Sequence, residues 1–538
     1  MDSLLIILLI ILLLLGCFLA FNRYRDYQYF KERGIPTPPF NFLFGHLLKM
    51  WSADSFAHQL QKWTVQHGKI YGIFAGSSPI YIVSDVDFLE QVFIKQFSNF
   101  YRHATDVTEH TVTKSKRGLL IASGNQWRRQ KQIVGSIIST GMKQMNSLFD
   151  KCINDMLVTL ETSTNTDNEE FNIYPLYKAT FWNMACGTFG IDTSMEKEAT
   201  DELFDTFEKF FTTNANDYTL LRAVEMFPSF DTILLRLFEL YNGVGQFISR
   251  IIWRIFRNMM FEGYALYRVK QQLLSLFEKR WKNSNYWRTV QTQTTDFLAM
   301  MSVMLTFDPI TDEKDTVEGK SEQQQQQRLI GPHEIVDNAF AFMGAQYVGN
   351  AAIMACSSHI LATHRDVQKK LLEEIDHFLP PINQKQIDGD VVAKMPYLDM
   401  FIREILRMYP ISTLGIERRC MKDTIVQGLH VTKGSVIQAD VYSIHFDPDL
   451  WGPEDPKSFC PERHSTTRRH AMALLFFGAG PRMCPGVRLA LTTAKMLLVR
   501  LLQKYTIESS QNQEALLDFK EKVIQLPTDA WIKLVVRK

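Results

Sequence analysis

The sequence predicts a mainly α-helical protein with a minor β region, preceded by one N-terminal transmembrane helix. Most of the chain shows apolar residues at helical spacing, and strand-like patterns are few and short. Residues 69–74 and 79–83 read as two short strands, and the turn 75–78 between them predicts a hairpin. The third observation is an unbroken apolar run over residues 4–21, which is long enough to cross the hydrocarbon core of a bilayer as a helix.

The apolar run is predicted to be an uncleaved membrane anchor. Only Asp2 precedes it as a charged residue, whereas several basic residues follow it: Arg23, Arg25, Lys31 and Arg33. By the positive-inside rule, this asymmetry places the rest of the chain in the cytosol. A cleaved signal peptide is the alternative, but the run lacks the basic start and the small-residue cleavage site of such peptides.

Composition limits the function classes that are open to the chain. Its 538 residues, 46% hydrophobic and 22% charged, describe an ordinary globular protein with a large core. The net charge of +1 argues against a nucleic-acid partner. Seven cysteines without a C-x-x-C pair suit a reducing compartment. We divide the chain into an anchor (residues 1–21), a basic and proline-rich linker (22–40) and one large domain (41–538).

The large domain is organised around a cysteine loop at residues 477–486, with the sequence FGAGPRMCPG. Its glycines allow the positive φ angles of a tight turn, and Pro485 suits the first position of the helix that follows. Cys484 is therefore expected at a helix start, where free N–H groups and the helix dipole favour a thiolate. Arg482, two residues away, adds positive charge. A thiolate held in this way is a suitable axial ligand for haem iron.

The fixed positions of this loop are Phe477, Gly480, Arg482, Cys484 and Gly486, in the pattern F-x-x-G-x-R-x-C-x-G. They match the haem-binding signature of the cytochrome P-450 family of haem-thiolate proteins. The resemblance implies the cytochrome P-450 fold, haem b (iron protoporphyrin IX) as cofactor, and Cys484 as its axial thiolate. It also implies haem contacts from Phe477 and Arg482.

Residues 361–371 resemble the microsomal branch of this family, which includes vertebrate drug-metabolising enzymes and thromboxane synthase. Members of this branch place a Trp and a basic residue, four positions apart, against the haem propionates. Trp127 and Lys131 have that spacing and share a helix face, so the resemblance implies the same role for them. A solvated basic helix face is the alternative. The family also has a propionate-binding arginine where this chain has Gly415, so a replacement must come from Arg418 or another residue.

A structural triad is predicted from two separate motifs. Glu404 and Arg407 lie three residues apart on one helix face, where an ion pair forms readily. Arg463 follows downstream in the segment Pro-Glu-Arg at residues 461–463. Together these three residues resemble the buried triad of the family, which braces the loop that carries the cysteine. The implied role is structural rather than catalytic.

A long helix is predicted from Pro332 to about residue 359, and the similarity of the segment after it fixes its register. The acid and the threonine that handle protons in relatives correspond here to Val348 and Gly349, and neither side chain is able to donate a proton. Gln346, three residues before Gly349 on a similar face, is the nearest side chain able to hold a water. The amide of Asn350 is expected to point elsewhere.

Three functions are consistent with these motifs. The first is a monooxygenase that inserts one oxygen atom from O2 into a lipophilic substrate, with electrons from NADPH. The second is an O2-independent isomerase or lyase of a lipid hydroperoxide or endoperoxide, as thromboxane synthase is. The third is a haem protein that binds ligands without turnover. Val348 and Gly349 discriminate among the three, because only the first normally needs a proton relay.

The resemblance also implies partners and a location. An NADPH-cytochrome reductase is the expected electron donor, with cytochrome b5 as a second donor, on a domain anchored in the endoplasmic reticulum membrane. Four arginines are expected on the cysteine side of the haem as a docking surface for the reductase: Arg128, Arg129, Arg468 and Arg469. The apolar stretch 248–260 is interpreted as either a membrane-dipping stripe or ordinary helix-packing surface. Residues 311–327 are predicted to be a solvated loop.

Overall fold

The structure is a computed structural model. It describes residues 2–104, 118–163, 170–194, 197–212, 263–283, 296–305, 329–379, 387, 389–413, 415–465, 469–511, 517–521 and 524–537. Residues 248–260 and 311–327, for which an amphipathic stretch and a loop are predicted, lie outside these ranges. Arg468 does so as well.

The described residues are mostly helical, as predicted. The α-helices are α1 (Asp2–Lys31), α2 (Leu47–Ser52), α3 (Phe56–His67), α4 (Val86–Glu90), α5 (Gly124–Ser163), α6 (Tyr174–Thr188), α7 (Lys197–Thr212), α8 (Gly263–Trp281), α9 (Phe297–Ser302), α10 (Pro332–Thr363), α11 (Arg365–Phe378), α12 (Gly389–Val392), α13 (Pro396–Met408), α14 (Val441–His445), α15 (Pro448–Trp451) and α16 (Val487–Lys504). A π-helical turn covers Gln91–Lys95, and short 3-10 turns cover Phe97–Asn99, Pro461–His464 and Gly480–Arg482.

The strands form a minor β region. They are β1 (Ile70–Ala75), β2 (Ser78–Val83), β3 (Glu170–Asn172), β4 (Glu417–Arg419), β5 (Thr424–Val426), β6 (Leu429–Val431), β7 (Val436–Ala439), β8 (Tyr505–Ser509), β9 (Phe519–Glu521), β10 (Gln525–Pro527) and β11 (Trp531–Val536). The predicted hairpin is β1–β2, and it continues as a four-stranded sheet in the order β1-β2-β7-β4. In this sheet β7 runs parallel to β2. The chain forms the β5–β6 hairpin first, and β7 then returns to pair with the N-terminal β1–β2 hairpin.

Helix α10 runs through the centre of the domain and organises its core. Pro332 occupies its first turn and Gly331 is its N-cap, as the sequence predicts. The helix packs against α6, α8 and α16, and most of its side chains belong to the large apolar core. By length and composition α10 could also span a membrane, but it is mostly buried inside the protein.

The N-terminal helix α1 contains the predicted anchor and continues beyond it. The sequence assigns residues 22–31 to a linker, whereas in the structure they extend the helix and pack on the β1–β2 hairpin. The hydroxyl of Tyr27 donates to the carbonyl oxygen of Phe42 at 2.8 Å. The ring of Phe30 lies against Gly72, where a Cβ would approach it to 2.4 Å. The helix therefore continues into the folded domain without a flexible joint at residue 22.

Candidate functional site

The cysteine loop is shaped by two glycines with positive φ. Gly478 has φ +71° and Gly480 has φ +70°, a backbone region that L side chains rarely adopt. Gly480 is also in close contact with the π-helical turn, since a Cβ there would meet the carbonyl oxygen of Phe93 at 2.1 Å. The backbone N–H of Cys484 donates to the carbonyl oxygen of Phe477 at 2.9 Å and closes the loop. The backbone geometry of the loop therefore favours glycine at 478 and 480, and the contact with Phe93 leaves no room for a side chain at 480.

One expectation for Cys484 is wrong in detail, and burial opposes another. Helix α16 begins at Val487 with Gly486 as its N-cap, so Pro485 precedes the helix instead of occupying its first turn. Burial raises the pKa of the Cys484 thiol, although a hydrogen bond from the Gly486 backbone opposes this. The surroundings alone therefore favour the neutral thiol. A coordinated metal ion deprotonates a thiol ligand outright, so bound iron would favour the thiolate against the effect of burial.

Arg482 belongs to this loop and lies in a group of cations. Its guanidinium donates to the backbone carbonyl oxygens of Tyr101, Leu119 and Ala122, at 3.1, 3.4 and 2.6 Å. It also stacks on the Trp127 ring, with its Cζ 4.4 Å from the ring centroid. The exposed Lys131 reaches the same loop and donates to the carbonyl oxygen of Pro481 at 2.6 Å. The structure therefore brings Trp127, Lys131 and Arg482 together, as the sequence predicts.

Arg418 completes the cluster from the other side. Only 2% of this residue is exposed, and its guanidinium lies over the ring of Phe93. One of its terminal nitrogens donates to the Glu417 carbonyl oxygen at 2.7 Å and lies 3.3 Å from Nδ1 of His103. Its Nε has no partner among the described residues, although it is buried. The sequence names Arg418 as one candidate replacement at Gly415, but it gives no signal for His103.

The charges of this cluster are not balanced. Burial, together with the charge of Arg418, lowers the pKa of Arg482 to about 9. Burial lowers the pKa of Arg418 to about 10, although Glu417 opposes the shift. Of the residues that the structure describes, none forms a carboxylate ion pair with Arg418, Arg482 or Lys131. A cluster of cations, of which Arg418 is buried with an N–H that has no partner among the described residues, fits a bound anion, and two haem propionates are anions of the right kind.

The predicted triad is present and fully buried. Arg407 makes a bidentate ion pair with Glu404, with both N–O distances 2.8 Å. Nε of Arg463 donates to the same carboxylate at 2.9 Å, and Nε2 of His464 lies 2.9 Å from its other oxygen. Burial alone would raise the pKa of Glu404, but the hydrogen bonds from Arg407 and His464 outweigh it and lower that pKa to about 2. We call this group the brace: Glu404, Arg407, Arg463 and His464.

His445 connects the brace to Leu475, two residues before the cysteine loop, a role that the sequence does not reveal. Its Nε2 accepts the backbone N–H of Leu475 at 2.9 Å, so Nδ1 carries the proton and donates to the Arg407 carbonyl oxygen at 3.0 Å. Arg407 in turn donates to the backbone carbonyl oxygen of His445 at 2.8 Å. The sequence only shows that residues 445–448 resemble the family. The contact depends on two segments 38 residues apart, and no local pattern encodes it.

One stripe of the central helix α10 is left open. Ala341, Phe342 and Gly349 are half-buried and Ala345 is exposed. The residues between them, 343–344 and 346–348, are buried. No heavy atom lies within 4 Å of the position that a Cβ on Gly349 would occupy. The spacing of these residues places them on one helix face. This open apolar stripe is the surface of α10 that a bound molecule is able to contact.

The segment beside this stripe contains several buried polar atoms without partners among the described residues. They are Nε2 of Gln346, the hydroxyl of Tyr347 and Oδ1 of Asn350. The amide nitrogen of Asn350 donates to Oγ1 of Thr493 on α16 at 3.3 Å, so this side chain points away from the open stripe, as the sequence predicts. The side chain of Val348 is 4% exposed and supplies no polar atom. At residues 348 and 349, where relatives have an acid and a threonine, the structure therefore shows no side chain that could donate a proton.

The four arginines predicted as a docking surface do not share one environment. Arg128 is exposed. Arg129 is 4% exposed and is paired with Glu334 at 2.6 Å, so it is not part of a basic surface. Arg469 is half-buried and donates to the backbone carbonyl oxygens of Leu450 and Arg463. Because Arg468 lies outside the described residues, Arg128 is the one described member that is free to meet a partner protein.

Comparisons with known proteins give a consistent result. A model of the family named Cytochrome P450 matches residues 35–534. The putative cytochrome P450 CYP13A4 of Caenorhabditis elegans is 27% identical over 518 residues, which cover 95% of this chain and 95% of that protein. Cytochrome P450 3A1 of Rattus norvegicus is 27% identical over 521 residues, which cover 95% of this chain and 93% of that protein.

Proposed function

Because the chain belongs to the cytochrome P450 family, we propose that it is a monooxygenase that inserts one oxygen atom from O2 into a lipophilic substrate. Family membership implies haem-thiolate oxidoreductase chemistry in general, with haem b held by an axial cysteine thiolate, which in this chain is Cys484. Haem, when bound, supplies the redox-active iron for this chemistry. The observation that carries the proposal is the Cys484 loop, closed onto Phe477 and fixed by its two glycines.

We further propose how this chain's residues hold the cofactor. Arg418, Arg482 and Lys131 would bind the two propionate carboxylates. The ring of Trp127, on which the guanidinium of Arg482 stacks, would hold that guanidinium in place. The unpaired Nε of Arg418 supports its assignment as the replacement for the arginine missing at Gly415. The apolar stripe of α10, from Ala341 to Gly349, faces the substrate, which accounts for a lipophilic substrate class.

Electrons are proposed to come from NADPH through a flavoprotein reductase, with cytochrome b5 as a second donor. Arg128 is the exposed cation that supports an encounter with an acidic partner, whereas the buried Arg129 does not contribute. The Arg128→Ala variant is expected to slow reduction and to flatten its dependence on salt, because surface charge mainly speeds encounter. An unchanged salt dependence would assign Arg128 to ordinary solvated surface.

The proposed location is the endoplasmic reticulum membrane, with the domain in the cytosol. Leu13, Leu14, Phe18 and Phe21 are all at least 60% exposed on α1, which suits contact with lipid. Deleting residues 1–21 should release most of the protein from microsomal membranes in a sedimentation assay. If the N-terminus of the full-length protein is instead found to be cleaved, the chain is secretory and the reductase partnership fails.

One observation favours a second candidate function, the O2-independent isomerase or lyase of a lipid hydroperoxide or endoperoxide. Val348 and Gly349 offer no group that could donate a proton beside the open stripe of α10. Oxygen insertion from O2 requires protons at that place, whereas rearrangement of a peroxide that arrives with its O–O bond already formed does not. The two functions therefore differ in their need for a proton donor at residues 348 and 349.

The first experiment is the carbon monoxide spectrum of the reduced protein. Wild type should absorb near the wavelength that gives the family its name, and Cys484→Ser should lose that band while Cys460→Ser keeps it. Cys460 is the matched control, since it is half-buried and its thiol contacts Glu462 instead of the loop. A Cys484→Ser protein that retained the band would contradict the assignment of Cys484 as the axial ligand.

The second experiment separates the two functions. Wild type with NADPH and reductase is expected to release much of its reduced oxygen as hydrogen peroxide, because residues 348 and 349 donate no proton. The double variant Val348→Glu, Gly349→Thr should raise the product formed per NADPH. Rearrangement of a lipid hydroperoxide or endoperoxide itself without NADPH, together with no NADPH-driven product, would establish the isomerase or lyase. Tight coupling in the wild type would contradict the proposed proton deficit.

A further inference from the structure

Two of the three carbonyl groups that hold Arg482 lie in one short turn, residues 118–122. The guanidinium donates to the carbonyl oxygen of Leu119 at 3.4 Å and to that of Ala122 at 2.6 Å. Two backbone hydrogen bonds to the Gly118 carbonyl oxygen, at 3.0 and 2.8 Å, close the turn. A guanidinium is planar and its N–H groups point in fixed directions, so the place of these carbonyl oxygens sets the direction of Arg482.

The turn 118–122 is fixed on helix α10 by Asn338. The backbone N–H of Leu119 donates to Oδ1 of Asn338 at 2.8 Å. Gly118 packs on the same helix, since a Cβ there would lie 3.1 Å from the Cβ of Asp337. Asn338 is 0% exposed, so bulk water does not compete for its amide group, and the hydrogen bond is strong. The turn therefore lies where α10 places it.

A buried carboxylate fixes the orientation of the Asn338 amide. Burial alone would raise the pKa of Glu334, but the hydrogen bonds that it accepts, above all from Arg129, lower that pKa, so Glu334 is a carboxylate and only accepts. Gln130 therefore donates to it through Nε2 at 3.0 Å, and Oε1 of Gln130 accepts from Nδ2 of Asn338 at 3.1 Å. Oδ1 of Asn338 is then the atom that faces Leu119. A flipped Asn338 amide would oppose two acceptors on one side and two donors on the other.

The same carboxylate joins the first turn of α10 to helix α5. Glu334 accepts from Arg129 at 2.6 Å and from Gln126 at 3.2 Å, and both donors lie on α5. On its other side α5 carries Trp127 and Lys131, which contact the cysteine loop. The start of α10 and the start of α5 are thus fixed to each other, so Asn338 is itself held in place. This contact gives Arg129 a role inside the protein, in place of the docking surface that the sequence predicts.

We propose that Asn338 is a positioning residue for Arg482: through the turn 118–122 it holds the guanidinium in the direction in which it binds a haem propionate. Asn338 acts through the turn and not on the cofactor itself. The inference rests on the cofactor contacts proposed above. The open stripe of α10 begins at Ala341, three residues after Asn338, so one helix would set the place of both the propionates and the surface that faces the substrate.

The first test is the rate at which the full-length, haem-loaded protein loses haem to an excess of apomyoglobin. Asn338→Leu keeps the size of the side chain and removes both of its hydrogen bonds, so haem loss should be about fivefold faster, the factor that corresponds to one hydrogen bond. The matched control is Ser358→Ala, which removes a buried hydrogen bond to Tyr177 from the same helix, roughly 30 Å further along it. Its rate should stay near that of the wild type. If Asn338→Leu lost haem no faster than Ser358→Ala, the proposal would be overturned.

A double-mutant cycle separates positioning from general damage to packing. Arg482→Lys keeps the positive charge but lacks the planar fork, so its interaction with a propionate no longer depends on the direction that the turn 118–122 sets. Asn338→Leu should then add little to the rate of haem loss in the Arg482→Lys background. Additive effects of the two changes would show that Asn338 acts on packing alone, and would overturn the proposal. Neither overturning result would alter the carbon monoxide band of the wild type or its loss in Cys484→Ser, which test the proposed function.

Discussion

The brace and the middle of α10 satisfy their buried polar groups in opposite ways. In the brace, Glu404 and Arg407 are 0% exposed, and each of their side-chain nitrogens and oxygens has a partner within the protein. In α10, Gln346, Tyr347 and Asn350 are as deeply buried, yet each carries an atom with no partner among the described residues. All of these residues are less than 9% exposed, so burial alone does not separate the two regions.

The difference indicates which region is complete by itself. A buried charge that finds every partner within the chain is part of the scaffold, because nothing further is required to stabilise it. Buried polar atoms without partners are expected where a water, a cofactor or a substrate completes the structure. The unpaired Nε of Arg418, in the cation cluster, belongs to this second kind. We therefore assign structure to the brace and binding to α10 and the cation cluster.

The largest expected effect is in the brace. Glu404→Ala leaves the guanidiniums of Arg407 and Arg463 buried without their carboxylate, which costs about 3–5 kcal/mol of unfolding free energy. Because a typical domain has only about 5–15 kcal/mol in total, little folded haem protein should remain. Urea denaturation and the yield of the carbon monoxide band measure the loss.

The matched control is Glu373→Ala on α11, whose side chain is 67% exposed and only loosely paired with Lys369 at 3.9 Å. It should change stability by less than about 0.5 kcal/mol. If Glu404→Ala proved as mild as this control, the brace would not be a scaffold and the contrast with α10 would break down.

The link from the brace to the cysteine loop comes next in size. His445→Phe removes the acceptor of the Leu475 N–H and the donor to the Arg407 carbonyl oxygen, at a cost of about 1–3 kcal/mol. It should also lower the fraction of reduced protein that shows the thiolate band, because the loop loses its support. His445→Gln, with a donor and an acceptor of its own, should restore part of that band. The exposed His430→Phe serves as control, and a normal band in His445→Phe would refute the link.

Acid should weaken the scaffold through these same groups. Burial lowers the pKa of His445 to about 3, so the unfolded chain binds a proton that the native state does not between pH 6.5 and 3. The pKa of Glu404 is lowered to about 2, so between pH 4.5 and 2 this carboxyl is likewise protonated in the unfolded chain and not in the native state. Stability therefore falls as the pH falls through each window, by up to about tenfold in the folding constant per pH unit and group.

The measurement is the urea midpoint from pH 7 to pH 4.5, where His445 titrates in the unfolded chain and Glu404 does not yet. His445→Gln should show a shallower decline than the wild type over this range. Gln346→Met should decline in parallel with the wild type, since no group that titrates there is changed. Parallel curves for the wild type and His445→Gln would remove His445 from the acid response.

The smallest expected effect tests α10 with a matched pair of tyrosines. The hydroxyl of Tyr177 lies 2.7 Å from Oγ of Ser358 on α10, whereas the equally buried hydroxyl of Tyr347 has no partner among the described residues. Tyr177→Phe should cost about 1 kcal/mol, and Tyr347→Phe should be neutral within about 0.5 kcal/mol or stabilising. Thermal denaturation of the two variants measures both changes in stability. A loss in Tyr347→Phe above that in Tyr177→Phe would mean that this hydroxyl has a bound partner.

The main sequence predictions of fold, family and cofactor are confirmed. Helix periodicity and the Pro332 start predicted the correct beginning of α10, and the turn 75–78 between two strand-like segments predicted the β1–β2 hairpin. The roles proposed for the site residues, the anchor, the reductase and the endoplasmic reticulum stay predictions. The helix start at Pro485 and the surface position of Arg129 are wrong.

The sequence by itself determined what depends on neighbours along the chain. Side-chain periodicity, proline positions and the spacing around Cys484 act over a few residues, and such local effects survive without knowledge of the fold. Only the tertiary structure decided which charges are buried and what they meet. Arg129 meets Glu334 across 205 positions, and Arg482 meets Tyr101 across 381. Burial raises the pKa of Cys484 and leaves Arg418 Nε without a partner among the described residues, because packing, not sequence distance, sets how much water each group keeps.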